Sequence, residues 1–340
     1  MTAPATDPTA EVSVELRFIT TEGVTDHRIG DLPALLARTD GVLWLDIPSW
    51  DEHSERVLSE DFAFHPLAIR DCAQRNQVPK VQVYPDHLFL VLHAPQAGAA
   101  GHVHYIELDQ FVGDRYLVTV HGPWNPAVDP AAARVEVDAL ARRLQSGKLR
   151  PAHGHDLSYA LVTALALRLR DFIARLTADV WGLEQRVTGG HLGNPEQFLD
   201  LMFRARHGLL TIQTIAGLTR EVFARMTRIH AFGADGGQAH IEDVMDQFDR
   251  LQAMAHVQKD YLQGTIEFYQ ARTNTKMTIA AERLAVIAAV TLPVTAVSSI
   301  LGMNVIVNDT TQPVALAIAL LIMGSISTVL LIWAKRRGWW

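Results

Sequence analysis

Near its C-terminal end the chain carries two uncharged segments of helix length, residues 284–301 and 314–334, joined by a short polar loop. Each can cross about 30 Å of hydrocarbon at a rise of about 1.5 Å per residue. In a soluble protein a helix apolar on all sides must be buried on all sides, and two in succession are hard to cover. The pair is therefore expected to be two membrane spans, with everything before it the soluble part that serves them.

The flanks orient the spans. Arg283 precedes the first and Lys335, Arg336 and Arg337 follow the second, whereas residues 305–313 hold no Lys or Arg. An excess of basic residues marks the cytoplasmic side, so both termini are expected in the cytoplasm of a multi-pass protein of the inner or plasma membrane. Trp333, Trp339 and Trp340 sit near the last basic cluster, as interfacial anchors do.

The first 280 residues carry nearly all the charges and read as a globular sequence with ample length for a core. A net charge of −7 argues against nucleic acid and for cations as partners. The single cysteine, Cys72, excludes an internal disulfide and reads as a small buried hydrophobe. Residues 1–9 are rich in Pro, Thr and Ala and lack a basic flank with an apolar run, which suits a flexible tail and not a signal peptide. The chain has no phosphate-binding loop, dinucleotide fingerprint, paired zinc-protease histidines or nucleophile elbow, so nothing points to an enzyme.

Runs rich in Val, Ile, Leu, Phe and Tyr predict strands at 12–20, 42–47, 81–93, 103–112 and 116–121, with helices at 32–37, 52–62 and 131–144. Residues 10–150 are thus a mixed α/β domain whose strand order stays open. From 156 the pattern turns to long helices. One is expected over 156–188, stopping at Gly189-Gly190, and a second from Asn194-Pro195 to Ala231. A third follows the Gly-rich break, where Ile241, Val244, Met245, Phe248, Leu251, Met254, Val257 and Tyr261 recur at steps of three and four. If continuous through Leu301 it is on the order of 95 Å long, a cytoplasmic stalk feeding the first span. The domain reading is a tail (1–9), an α/β domain (10–150), a stalk (151–283), a first span (284–304), an outer loop (305–313), a second span (314–334) and a basic cytoplasmic tail (335–340).

Within the first span Leu284, Ala288, Leu292, Thr295 and Ser299 follow one helical stripe toward Asn304. Small and hydroxyl side chains on a stripe have two readings, close helix packing in lipid and the lining of a pore. Two spans cannot enclose a pathway, so a pore of this design needs a ring of copies.

Gly302-Met303-Asn304 at the outer end of this helix, with Pro293 and Thr295 before it, a second span close behind and a basic terminus ending in Trp, resembles the signature of the CorA family of magnesium channels. That family includes the ZntB-type zinc transporters. Upstream, Asn76-Gln77-Val78-Pro79-Lys80 and the following Tyr84-Pro-Asp-His-Leu-Phe-Leu-Val-Leu stretch look like the family's Gln-Arg-Pro-Lys segment and strand, with Val78 in place of Arg. The resemblance covers about residues 60 to 340.

The resemblance implies a funnel-shaped homopentamer: an α/β cytoplasmic domain, long stalk helices, an inner ring of first spans lining the pore and an outer ring of second spans. Asn304 matches the selectivity asparagine, Gly302 the turn and Met303 the packing that holds it. Thr295 matches a pore-facing hydroxyl, Leu292 and Leu284 apolar constrictions, and Glu267 an acidic residue near the cytoplasmic exit. Asp243 and Asp246 align with carboxylates that bind regulatory Mg2+ between protomers, with Glu107 and Asp109 as candidate partners. The implied activity is passage of Mg2+ or Co2+ driven by the membrane potential and closed by intracellular Mg2+, with Mg2+ both transported and regulatory. The implied partners are further copies of the chain, the bilayer and divalent cations.

One departure bears on the ion. Where the family's magnesium members carry Met-Pro-Glu-Leu, this chain has Val305-Ile-Val-Asn-Asp309-Thr-Thr-Gln-Pro313, in which Asp309 is the one acidic residue. Zn2+ transport of the ZntB type, with or without a coupled proton, is the main rival within the family, and the ranking among Mg2+, Co2+, Ni2+ and Zn2+ stays open. His102 with His104, and His153 with His155, are the paired imidazoles that would suit Zn2+, though surface or packing roles are expected for both pairs. A rival of another class is a membrane-tethered scaffold or sensor that conducts nothing.

Overall fold

The computed structural model describes residues 14–123, 125–190, 194–228, 237–302 and 313–336. Its strands follow the β-branched and aromatic runs: β1 (Glu15–Ile19), β2 (Val24–His27), β3 (Val42–Ile47), β4 (Lys80–Val83), β5 (Leu88–Ala97), β6 (Val103–Val112) and β7 (Tyr116–Val120). They form one sheet in the order β2-β1-β3-β7-β6-β5-β4, antiparallel except where β3 runs parallel to β7.

Both faces of the sheet are covered, which is why its strands read as unbroken apolar runs and not as alternation. In β5, Leu88, Leu90 and Leu92 enter the core formed with the long helices. Phe89 and Val91 enter the opposite core, with Leu58, Phe64, Ile69 and Cys72. The second face is closed by short helices α1 (Leu32–Leu36), α2 (Glu52–Arg56), which runs on as one π turn to Asp61, and α3 (Pro66–Ala73). The first is closed by α4 (Pro130–Ala133), α5 (Val135–Gln145), α6 (Gly154–Gly189), α7 (Pro195–Met226) and the beginning of α8 (Gly237–Gly302). A final helix, α9, covers Pro313–Arg336.

Local chemistry sets the ends of the long helices. Asp156 in the first turn of α6 accepts the backbone N–H of His153 at 3.0 Å, the return half of a capping box, and Gly190 ends the helix in the left-handed region at φ 79°. Asn194 accepts from the N–H of Glu196 at 2.9 Å with Pro195 in the first turn of α7.

Several elements differ from expectation for local reasons. The run 81–93 is two strands, because Tyr84 and His87 close a hairpin turn between them. The short polar edge strand β2 and the proline-led α3 carry too little periodicity to be read. The helix expected over 131–144 breaks at Arg134, whose guanidinium turns inward to Asp46 at 3.2 Å and to Glu15 at 2.6 Å. On α8 the covered stripe is Ile241, Val244, Phe248, Leu251, Ala255 and Leu262, while Met254, Val257 and Tyr261 are exposed. The 3.6-residue pitch rotates these three off the buried face. The helix expected to reach 231 ends at Met226, and residues 1–13, 229–231, 305–312 and 337–340, with the expected tail, outer loop and terminal Trp339 and Trp340, fall outside the described residues.

By its internal contacts the chain divides into two units, Met1–Gln263 and Gly264–Trp340. The first holds the sheet, α1 to α7 and the beginning of α8; the second holds the rest of α8, and α9.

Candidate functional site

The apolar windows of α8 and α9 are 0% and 6% buried by the rest of the chain. Core helices of a soluble protein would be covered, so their length and composition suit membrane spans. Each has one half-covered stripe. On α8 it is Val286, Val290, Pro293, Val294 and Val297; on α9 it is Ala319, Met323, Ile326, Ser327 and Leu330, ending on buried Ala334. These are the three- and four-residue steps of helix packing.

The predicted pore residues lie elsewhere on α8. Leu284, Ala288, Leu292, Thr295 and Ser299 are all exposed, Leu284 and Leu292 at 66%. At about 100° per residue the centre of this stripe lies roughly 180° from the half-covered one. One face of the helix is therefore half-covered, and the face carrying the hydroxyls is exposed. Thr291 donates to the carbonyl of Ile287 at 2.9 Å, and Thr295 to that of Thr291 at 2.8 Å. With its proton committed to the backbone, the Thr295 oxygen presents only lone pairs outward, the polarity that receives a cation or its water. Gly302 ends α8 exposed. Met303, Asn304 and Asp309 lie outside the described residues. Glu267 is exposed on α8.

The predicted regulatory carboxylates are set differently. Asp243 and Asp246 are exposed on α8. Oδ2 of Asp243 accepts from the Tyr159 hydroxyl at 2.7 Å and from Gln247 Nε2 at 2.5 Å. Burial first, and then the hydrogen bond to Asp243, push the Tyr159 phenol up. Tyr159 is 84 positions from Asp243, and no sequence signal links the two.

Glu107 and Asp109 lie within the sheet, on β6. Glu107 accepts from the Asn76 backbone N–H at 2.9 Å and its side-chain amide at 2.6 Å, and Asn76 in turn accepts from Lys80, which pairs with Asp71 at 2.7 Å. The Asn76 to Lys80 motif is thus a clamp between the β4 approach and β6. Asp109 is fully buried, and its carboxyl oxygens have no hydrogen-bond partner of good geometry. Burial, then the neighbouring Glu107 charge, hold its carboxyl well above the usual carboxylate range, and burial raises Glu107 as well. Within one protomer neither meets Asp243 in a hydrogen bond or ion pair among the described residues.

Residues 39–336 match the family model described as CorA-like Mg2+ transporter protein. The cobalt/magnesium transport protein CorA of Thermotoga maritima is 21% identical over 339 residues, covering 97% of this chain and 93% of its own. The complete CorA magnesium transporter of Methanocaldococcus jannaschii superposes with a TM-score of 0.78 at 14% identity, over 98% of this chain and 100% of that one. The ZntB cytoplasmic domain of Vibrio parahaemolyticus does so at 0.58 and 8% identity, over 77% and 98%.

Proposed function

The chain belongs to the CorA-like Mg2+ transporter family, and from that premise we propose that it is a Mg2+ and Co2+ channel, driven by the membrane potential, in a homopentameric ring. Membership makes it a membrane transporter of divalent metal and not an enzyme. The observation that carries the finer reading is the exposed hydroxyl stripe of α8, opposite its half-covered face. A face left exposed among the described residues is what a ring of copies around a shared axis uses.

Mg2+ dehydrates reluctantly and is held through its waters by neutral oxygens, the chemistry of an Asn304 carbonyl ring followed inward by Thr295. Asp309 draws cations to the outer mouth and Glu267 to the cytoplasmic exit. Leu292 and Leu284 narrow the path with apolar side chains that gate by dewetting. The membrane potential contributes about 2.3 kcal/mol per charge per 100 mV. With both termini cytoplasmic, Asp243 and Asp246 bind regulatory Mg2+ there and favour the closed ring by differential binding. We assign the role to these two α8 carboxylates, since Asp109 is buried and Glu107 is held by Asn76.

Uptake into liposomes under an imposed voltage, and then under a proton gradient, tests the proposal. Voltage-driven Mg2+ entry, lost in Asn304→Ala with assembly intact, is expected, and normal uptake by that variant overturns the assigned role. Zn2+ entry stimulated by protons moves the chain to the ZntB-like reading, and entry of no ion leaves the scaffold reading ahead.

A further inference from the structure

Gly154 docks the start of α6 against the β6–β7 turn. Its N–H donates to the Asp114 carbonyl at 2.7 Å, and a Cβ there would collide with the carbonyl oxygens of Gly113 and Tyr116. The next two residues, His155 and Asp156, are thereby fixed on the first turn of α6. Across from them, His240 stands on the first turn of α8.

Asp156 Oδ1 lies 3.7 Å from His155 Nε2 and 3.7 Å from His240 Nδ1. All three atoms fall within 4.8 Å of one another on half-buried side chains. Neighbouring ligands of a tetrahedral ion with bonds of about 2.0 to 2.2 Å are about 3.4 Å apart, so the two edges at Asp156 need to shorten by about 0.3 Å and the edge between the imidazoles by up to about 1.4 Å, a swing of the half-buried rings, to become one face of such a site. The geometry points to a second cation site, in which His155, Asp156 and His240 bind a transition-metal dication of the Zn2+, Co2+ or Ni2+ class within a single protomer.

The surroundings orient the ligands as such a site requires. Asp156 Oδ2 is occupied by the N–H groups of Ala152 at 2.8 Å and His153 at 3.0 Å, which turns Oδ1 toward the imidazoles. The His240 ring stacks on Tyr159 at 4.1 Å and 10°, and the His155 ring on His153 at 4.9 Å and 8°. Three protein ligands leave a fourth position to water.

The donor set selects the metal. Two imidazoles with one carboxylate suit Zn2+, Co2+ and Ni2+, whereas Mg2+ asks for six oxygens. Two helix N-termini meet here, and their positive ends oppose any cation. An ion held mainly by charge, as Mg2+ is, loses most from that opposition; one held by bonds to nitrogen loses least.

Occupancy ties the first turn of α8 to α6. His240 lies one turn before Asp243, and Tyr159 touches both, stacking on His240 and donating to Asp243. A transition metal there thus adjoins the carboxylate assigned to regulatory Mg2+, but the site itself stands on geometry within one protomer whether or not the chain conducts.

The probe is Co2+, added to the full-length protein in detergent and read by its visible absorption, which is intense for tetrahedral ligation and weak for octahedral ions held through water. The expected result is an intense band saturating at one Co2+ per chain, displaced by stoichiometric Zn2+ and retained in a hundredfold excess of Mg2+. His240→Ala should weaken binding at least tenfold, and His155→Ala, on the opposite helix, should do the same and serves if the first variant does not fold. A control chain carrying His102→Ala and His104→Ala, away from the triangle, should bind as the parent does. An absent band, a band unchanged by both His240→Ala and His155→Ala, or displacement by Mg2+ as readily as by Zn2+ overturns the site.

Discussion

The sheet unit and the C-terminal unit treat polar groups in opposite ways. In the first, buried polar side chains are answered by distant parts of the chain: Asp46 accepts from Thr119 at 2.5 Å, His121 at 3.0 Å and Arg134 at 3.2 Å, and Glu136 meets Arg168 at 3.1 Å. In the second, hydroxyls bond within their own helix, as Thr295 does to Thr291 and Ser325 to Leu321 at 2.7 Å, while large apolar side chains stay uncovered. The contrast teaches which solvent each region is built for. Water rewards burial of apolar surface and long-range pairing of polar groups; lipid rewards backbone groups satisfied inside one helix and leaves apolar faces outward.

The largest expected effect tests the first half of that contrast. Asp46→Ala leaves the Arg134 charge and the His121 ring without their buried partner and should cost about 3–5 kcal/mol in denaturant unfolding of the full chain. Burial alone would raise the Asp46 carboxyl, but the His121 charge, hydrogen bonds from His121 and Thr119, and the Arg134 charge outweigh it and hold the group low. With the folded value depressed, its stabilisation is complete above the unfolded value of about 3.9 and is lost as pH falls below it. A loss on Asp46→Ala that is equally large well below that pH would break the assignment.

Asp109 is an exception to this pattern of answered polar groups, and it should behave in the opposite sense. Its raised carboxyl stabilises the fold only below the unfolded value near 3.9, and this is lost as pH rises through the folded one. Asp109→Asn removes the buried charge and should stabilise the protein by about 1–3 kcal/mol at pH 8, with a smaller gain at pH 5. A gain that does not change with pH would mean that the charge is not what Asp109 costs.

On the membrane side, Thr295→Val keeps shape and removes the outward lone pairs. Uptake should fall roughly tenfold, about 1.4 kcal/mol, while thermal stability holds, because the hydroxyl bonds only within its own helix. A loss of stability comparable with that of Asp46→Ala would mean that Thr295 packs a fold and does not line a path. The smallest effect is expected at Asp243→Asn, which retains an acceptor for Tyr159. Internal Mg2+ should inhibit uptake with about threefold lower potency, less than 1 kcal/mol, and unchanged inhibition would remove Asp243 from the regulatory role.

Much of this was legible in the chain itself. Uncharged length identified both span candidates, because the requirement to cover hydrocarbon is one-dimensional. Caps and prolines placed α6 and α7 to within a few residues, and the stripe from Leu284 to Ser299 followed from helical pitch alone. Pairing across the sheet did not follow: the strand order, the parallel β3–β7 neighbours and the inward turn of Arg134 depend on contacts tens of residues apart, which no local pattern encodes. His155 could be noted beside His153, yet its geometric partners are Asp156 and His240, and only the docking of α8 on α6 brings His240 there. Glu107 and Asp109 were equally visible as carboxylates two apart on a strand, but only the second layer of helices decided that Asp109 is buried and Glu107 clamped. Local periodicity and composition are properties of neighbours in sequence, so most of the elements, the two candidate spans and the helical stripe could be read from the chain. Burial and pKa depend on whatever else arrives in space, and they followed from the packing of distant elements.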